Sequence, residues 1–167
     1  MNYSTSYNTP ALKKELAVYI SGYSDGEGCF CVSFSKRPKN IKVGFEVKPS
    51  FAVGQNYDRR EVLDLMKNHF NCGFIRRDWG DKTLKYEVRS LDNLLKVIIP
   101  HFAKFPMKSA KQKDFVFFSR ICELMKSQKH LKTKGLRKII HLAYKMNGSG
   151  KRRYSEKELL AQVKMKI

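Results

Sequence analysis

Ile20-Ser21-Gly22-Tyr23-Ser24-Asp25-Gly26-Glu27-Gly28 closes an apolar run, Leu16-Ala17-Val18-Tyr19-Ile20, and opens directly onto alternating residues. Gly22 and Gly26 stand four apart, so on a helix they stack on one face. They leave a groove bare of side chains, where a second helix can approach almost to backbone contact. Asp25 and Glu27 follow, each succeeded by a glycine (Gly26, Gly28), which keeps the carbonyls there accessible. A carboxylate at the open end of a closely packed helix pair is a seat for a hard cation such as Mg2+. Taken alone, the same nine residues also describe a helix that ends in a glycine-rich turn. The chain around them decides.

Cys29 to Arg37 alternates, with Phe30, Val32 and Phe34 on one face and Cys31, Ser33, Ser35 and Arg37 on the other. Pro38-Lys39-Asn40 signals a turn. A second alternating run, Ile41 to Gln55, sets Phe45, Val47, Phe51 and Val53 opposite Lys42, Glu46, Lys48 and Ser50. Two such runs form an antiparallel hairpin with one apolar and one polar face. Asp58 then caps a predicted helix to about Phe70, stopped by Asn71-Cys72-Gly73. A second hairpin pairs Phe74 to Asp78 with Thr83 to Arg89; Arg76, Asp78, Lys85, Glu87 and Arg89 face outward. A helix from about Leu91 to His101 is expected to break at Pro100 and Pro106. Another runs from about Ser109 to Lys126, with Phe115, Phe118, Cys122 and Met125 inward. Beyond Lys129 the chain is basic and helical, with a stripe from Leu136 to Tyr144. A loop of flexible composition, Asn147 to Arg153, precedes a final helix capped at Ser155.

The 167 residues make one domain, 42% apolar and 12% aromatic, which is enough for a packed core. We divide them into a core, 1–128, with a loose arm at 1–10, and a basic extension, 129–167. Lys and Arg number 34 against 15 acids, a net charge of +19. That excess points to a polyanionic partner, nucleic acid before an anionic membrane. No apolar run approaches the roughly 20 residues that span a bilayer, and no signal peptide is evident. Cys29, Cys31, Cys72 and Cys122 have no zinc-site spacing and read as reduced thiols.

The order helix, two strands, helix, two strands, helix, together with the opening nine residues, resembles the LAGLIDADG homing endonucleases over roughly residues 12–126. Ser21 stands for the usual small Ala, Tyr23 and Ser24 for the usual apolar pair, and Glu27 for the commoner final Asp. The resemblance implies an α+β fold, αββαββα, whose four-stranded antiparallel sheet carries helices on one face and DNA on the other. The motif occurs once, and single-motif members of that family are homodimers. Their interface here would be Tyr19, Ser21, Gly22, Tyr23, Asp25 and Gly26, with Asp25 expected to cap or pin the helix end in preference to binding metal directly. Glu27 and the Gly26 carbonyl would bind Mg2+ (or Mn2+ or Ca2+) at a scissile phosphate of a near-palindromic duplex. Gln55 and Arg59 match positions that order solvent around that metal. A lysine completes the set, with Lys108 and Lys111 both candidates.

For base reading the outward row is Ser33, Ser35, Arg37, Glu46, Lys48, Arg76, Asp78, Lys85 and Glu87. Arg and Lys suit guanine, and the acids accept from cytosine or orient a neighbouring Arg. Lys132, Lys134, Lys138, Lys151, Arg152 and Arg153 are expected at phosphates, adding affinity without sequence information. The four histidines have no evident partners in the sequence. The rival readings are an intron maturase binding intron RNA, or a DNA-binding regulator, on the same scaffold without cleavage. The expected compartment is a bacterial cytoplasm or an organelle.

Overall fold

The computed structural model describes residues 9–36, 44–78, 80, 82–148 and 150–163. Residues 1–8 of the expected arm, Arg37, the Pro38-Lys39-Asn40 turn and 41–43 of the second predicted strand lie outside the described residues, while Thr9 and Pro10, expected in the arm, open the first helix. Helix α1 (Pro10–Glu27) opens on Thr9, whose side chain accepts the Leu12 amide at 3.3 Å, with Pro10 at the first helical position. It buries Leu16, Ala17, Ile20, Ser21 and Ser24. The helix passes into the first strand without a linker at Gly28. A Cβ there would lie 2.5 Å from the Ser24 carbonyl oxygen, so only glycine allows the junction.

Strands β1 (Gly28–Lys36), β2 (Phe45–Asn56), β3 (Phe74–Asp78) and β4 (Thr83–Val88) form one antiparallel sheet in the order β1-β2-β4-β3. Phe30 pairs with Phe51, and Phe51 with Val88, so the apolar residues of three strands fall on one face. Phe30 is the hub of the core: the rings of Phe51, Phe102, Phe115 and Phe118 all lie 5.2–5.4 Å from it. The predicted inward faces of both hairpins are confirmed.

Helix α2 (Glu61–Phe70) corrects one expectation. Asp58 does not cap it; the helix opens at Glu61 behind Arg60, after a turn closed by the Arg59 amide on the Asn56 carbonyl. Glu61 and Asp64 in its first turn offset the helix dipole instead. Pro100 does not break the next helix either. Helix α3 (91–104) runs through it, with Leu94–Ile98 wound as a π-helix and the Ile99 amide donating five residues back to Leu94. The wider turn makes room for the proline ring, which an ordinary turn would press against a carbonyl.

Helix α4 (Lys111–Lys126) follows, then a 3-10 turn (Lys129–Leu131), α5 (Thr133–Tyr144) and α6 (Glu156–Gln162). Leu136, Ile139, Ile140, Leu159 and Val163 join the same core as the sheet, so the basic extension is packed into the domain. Ser155 caps α6 reciprocally with Glu158, as predicted. No helix among the described residues is long and apolar enough to cross a membrane.

Under α1 lies a polar chain that the sequence did not reveal. His69 Nε2 sits 3.2 Å from His101 Nδ1, His101 Nε2 is 3.2 Å from Ser21 Oγ, and Ser21 donates to the Phe105 carbonyl at 2.7 Å. Because Ser21 spends its proton on Phe105, it accepts from His101 Nε2–H, which leaves Nδ1 to accept from His69. This directional chain requires a neutral His101. Burial, with His69 beside it, pushes its pKa down from 6.5 to about 4, and burial lowers His69 in the same sense. The unfolded state therefore binds protons first on acidification. This contribution to stability is complete above pH 6.5 and is lost as the pH falls towards 4. Urea unfolding at pH 7.5 and pH 5 should show the loss, and His101→Asn should flatten the dependence over that interval.

Candidate active site and nucleic-acid interface

Glu27 is the last residue of α1 and is exposed, at the point where the glycine-bearing face of the helix meets the sheet. Along that face Val18 is 54% and Tyr19 50% exposed. A Cβ added at Gly22 or Gly26 would meet nothing of the described residues within 4 Å. A glycine in a helix interior costs about 1 kcal/mol relative to alanine. Nothing among the described residues calls for either one.

Two residues expected on that face turn elsewhere. Ser21 points inward and is 4% exposed, bonded to His101 and Phe105. It sits about 100° round the helix from Gly22, which places it on the core side. Asp25 accepts the Lys108 and Ser109 amides, both at 2.9 Å, and the Ser109 hydroxyl. It pins the end of α1 to the segment leading into α4, the role foreseen for it. Burial pushes its carboxyl up, but those donors and the nearby Lys111 ammonium outweigh this and hold it below 3.8.

The same tether brings Lys111 to the motif. Its ammonium donates to the Gly26 carbonyl at 3.1 Å and to the Gly28 carbonyl, on either side of Glu27. Lys108 contributes its backbone amide to Asp25, and its side chain is exposed. Of the two candidate lysines, the fold brings Lys111 to Glu27. Gln55, near the end of β2, accepts the Asn56 amide on Oε1 at 2.7 Å and donates through Nε2 to the Tyr23 hydroxyl. Arg59 lies exposed in the turn after β2. A pair of carbonyls that already accepts an ammonium, beside an exposed carboxylate, is chemically suited to a hard divalent cation. No group of three or more His, Cys, Asp or Glu able to hold a metal occurs among the described residues. Within one protomer the candidate set is a single carboxylate with backbone carbonyls.

The sheet face opposite the helices is polar and uncovered, and it is internally wired. Glu87, 6% exposed, receives Arg76 Nε and Arg89 Nη2, each at 2.8 Å. Burial would raise its carboxyl, but the Arg89 and Arg76 guanidiniums hold it below 4.5. Lys85 reaches Asp78 at 2.5 Å and Lys48 reaches Glu46 at 3.2 Å. Ser33 and Ser35 lie across from Lys48 and Glu46 on β1. The outward row of the sequence is therefore assembled, apart from Arg37, which is outside the described residues. Arg89 belongs to it as well, through Glu87. Glu87 is an orienter of guanidiniums more than an exposed reader.

The excess charge lies largely off this face. Leu124 to Ser155 contains ten Lys and Arg residues and no acid. Lys132, Lys134, Lys138, Lys151 and Arg153 are exposed. Arg152 is a correction to the expected phosphate contacts: it donates to the Ala143 and Met146 carbonyls, at 2.6 and 3.0 Å, and stacks on Tyr144. It closes the C-terminal end of α5, where a cation meets the helix dipole. The loop is also tied to the outer edge of β1, since Asn147 Nδ2 donates to the Phe30 carbonyl at 2.7 Å. Between that edge and the loop runs a groove of about 760 Å3, with Lys111, Lys151 and Arg153 on its walls.

The profile of the LAGLIDADG endonuclease family matches residues 20–122. The probable intron-encoded endonuclease 2 of Neurospora crassa is 35% identical over 130 residues, which cover 77% of this chain and 28% of that protein. The chain spans only about a quarter of the length of the Neurospora and Podospora relatives it matches. The crystal structure of the homing endonuclease I-TnaI superposes with a TM-score of 0.81 at 32% identity, covering 89% of this chain and 97% of that one. The I-LtrWI LAGLIDADG homing endonuclease bound to target DNA gives a TM-score of 0.78 at 34% identity, over 81% of this chain and 45% of that one. The motif at 20–28, the four-stranded sheet and these likenesses over most of the chain agree: the chain belongs to the LAGLIDADG endonuclease family.

Proposed function

We propose that the protein is a homodimeric, Mg2+-dependent homing endonuclease that cuts both strands of one long, near-palindromic DNA site. The observation that carries this reading is the end of α1. An exposed Glu27, flanked by carbonyls that accept Lys111, stands beside an open polar sheet on a helix whose glycines serve no neighbour among the described residues. A second copy packed through Gly22 and Gly26, with Val18 and Tyr19, would supply the missing neighbour. It would bring a second Glu27 to the centre and extend the sheet into a two-fold saddle. The length comparison agrees, since one copy of this chain covers 45% of the DNA-bound I-LtrWI chain.

Glu27 with the Gly26 carbonyl would hold the metal, which when bound stabilises charge on the scissile phosphate and lowers the pKa of water. The residues around it do the positioning. Lys111 places positive charge at the phosphate, and Gln55 offers a fixed amide to the attacking water. Arg59 stands in the turn just before α2, near the positive end of the helix dipole, where a cation is better used on a phosphate. The sheet residues Ser33, Ser35, Glu46, Lys48, Arg76, Asp78 and Lys85 read base edges as a β-ribbon in the major groove, with Glu87 aiming the Arg76 and Arg89 guanidiniums. Lys132, Lys134, Lys138, Lys151 and Arg153 bind backbone. An organelle is the expected setting, as the matched fungal relatives are named for introns.

Incubating purified protein with a randomised duplex library, with Mg2+ or with EDTA, should yield ends at one site only when Mg2+ is present. Binding without ends under any divalent metal would instead support the non-cutting maturase or regulator. Glu27→Gln should abolish cutting while the protein still shifts the duplex, because charge is removed with little change in shape. Loss of binding together with cutting would argue against a ligand role for Glu27. Gly22→Leu should sediment as a monomer; an intact dimer would refute this interface.

A further inference from the structure

Tyr23 carries a hydroxyl that packing does not explain. Its ring lies beside Tyr19 with centroids 6.1 Å apart, at the border of the α1 face that carries Gly22 and Gly26, and partly against the core. A phenylalanine would fill that space equally well. The hydroxyl instead accepts from Gln55 Nε2, across 32 residues of sequence and from a different layer of the fold. The other end of the same carboxamide is also held, because the Asn56 amide donates to Gln55 Oε1 at 2.7 Å. That second contact fixes which end of the group is oxygen and which is nitrogen.

We propose that Tyr23 is a positioning residue for the cleavage reaction, its hydroxyl locking the Gln55 carboxamide in the orientation the centre beside Glu27 uses. The inference rests on the endonuclease reading above and names a residue that acts through another. A free glutamine side chain turns about three bonds, and a single contact to the neighbouring amide leaves most of that freedom. The Tyr23 bond removes it, so the remaining Nε2–H keeps one direction through each turnover. Because the tyrosine oxygen accepts, its own proton stays available to solvent at the same centre. The ring also borders the face where the second copy docks, which sets this contact next to the centre that the pairing builds.

Tyr23→Phe removes the hydroxyl and keeps the ring, so the dimer and the affinity for the duplex selected from the library should be unchanged. The single-turnover rate of cutting in Mg2+ should fall roughly tenfold, the equivalent of one hydrogen bond. Gln55→Ala should fall at least as far, and adding Tyr23→Phe to it should cost nothing more, the signature of two residues acting as one unit. In the NMR spectrum the side-chain NH2 pair of Gln55, held in wild type, should move towards free-glutamine positions in Tyr23→Phe. A Tyr23→Phe protein that cuts at the wild-type rate overturns the inference while leaving the endonuclease reading in place. So does a loss that adds in full to that of Gln55→Ala. A wild-type protein that cuts no duplex in the library overturns the reading beneath it.

Discussion

The Asp25 carboxylate holds the molecule's centre in register. By accepting two consecutive amides and a hydroxyl from Lys108 and Ser109, it fixes the end of α1 against the start of α4, residues 83 and 84 positions away. Hydrogen bonds to a charged acceptor are about twice as strong as neutral ones, and three converge here. Everything at the candidate centre follows from that join. Lys111 is delivered to the carbonyls around Glu27 because it begins the helix that the join anchors. Gly28 then lets the chain turn into β1 without a linker, so the sheet begins at the acid.

The electrostatics divide into two kinds. On the open sheet face every acid is matched to a base, and the buried carboxylate of Glu87 holds two guanidiniums at once. Such pairing contributes little to stability where the charges are exposed. Its effect is to fix the directions in which Arg76 and Arg89 can donate, which is what reading a base edge requires. The acid-free stretch from Leu124 to Ser155 has the opposite character: lysines on long flexible stems, mostly exposed. These suit a polyanion's backbone, where position matters less than charge. In the function proposed above, specificity and affinity thus fall to different parts of one small domain.

Beneath the glycine face, the His69–His101–Ser21 chain fills the space between α1, α2 and α3 with polar atoms that satisfy one another. A buried chain of this kind is costly if any member is unpaired, and fully paired it allows one arrangement of the three helices. It therefore sets the tilt of α1, the helix whose other side carries the glycines.

The sequence by itself determined the element order, the inward faces of all four strands, the stripe of α4 and the position of the motif. Each of these is written in a period of two or 3.6 residues, or in glycine and acid spacing that local geometry makes legible. Tertiary structure alone decided which of Lys108 and Lys111 reaches the carbonyls on either side of Glu27, because the winding of the two residues between them is not legible in the sequence. It also decided that Ser21 and Asp25 serve their own chain, that Arg152 closes a helix, and that Gln55 meets Tyr23. Sequence missed the histidine chain for the same reason: its members are 32 and 80 residues apart and carry no shared period. Pro100 was misread because the sequence shows the ring but not the π-helical turn that accommodates it. Periodicity encodes which face a residue takes; only packing determines what it meets there.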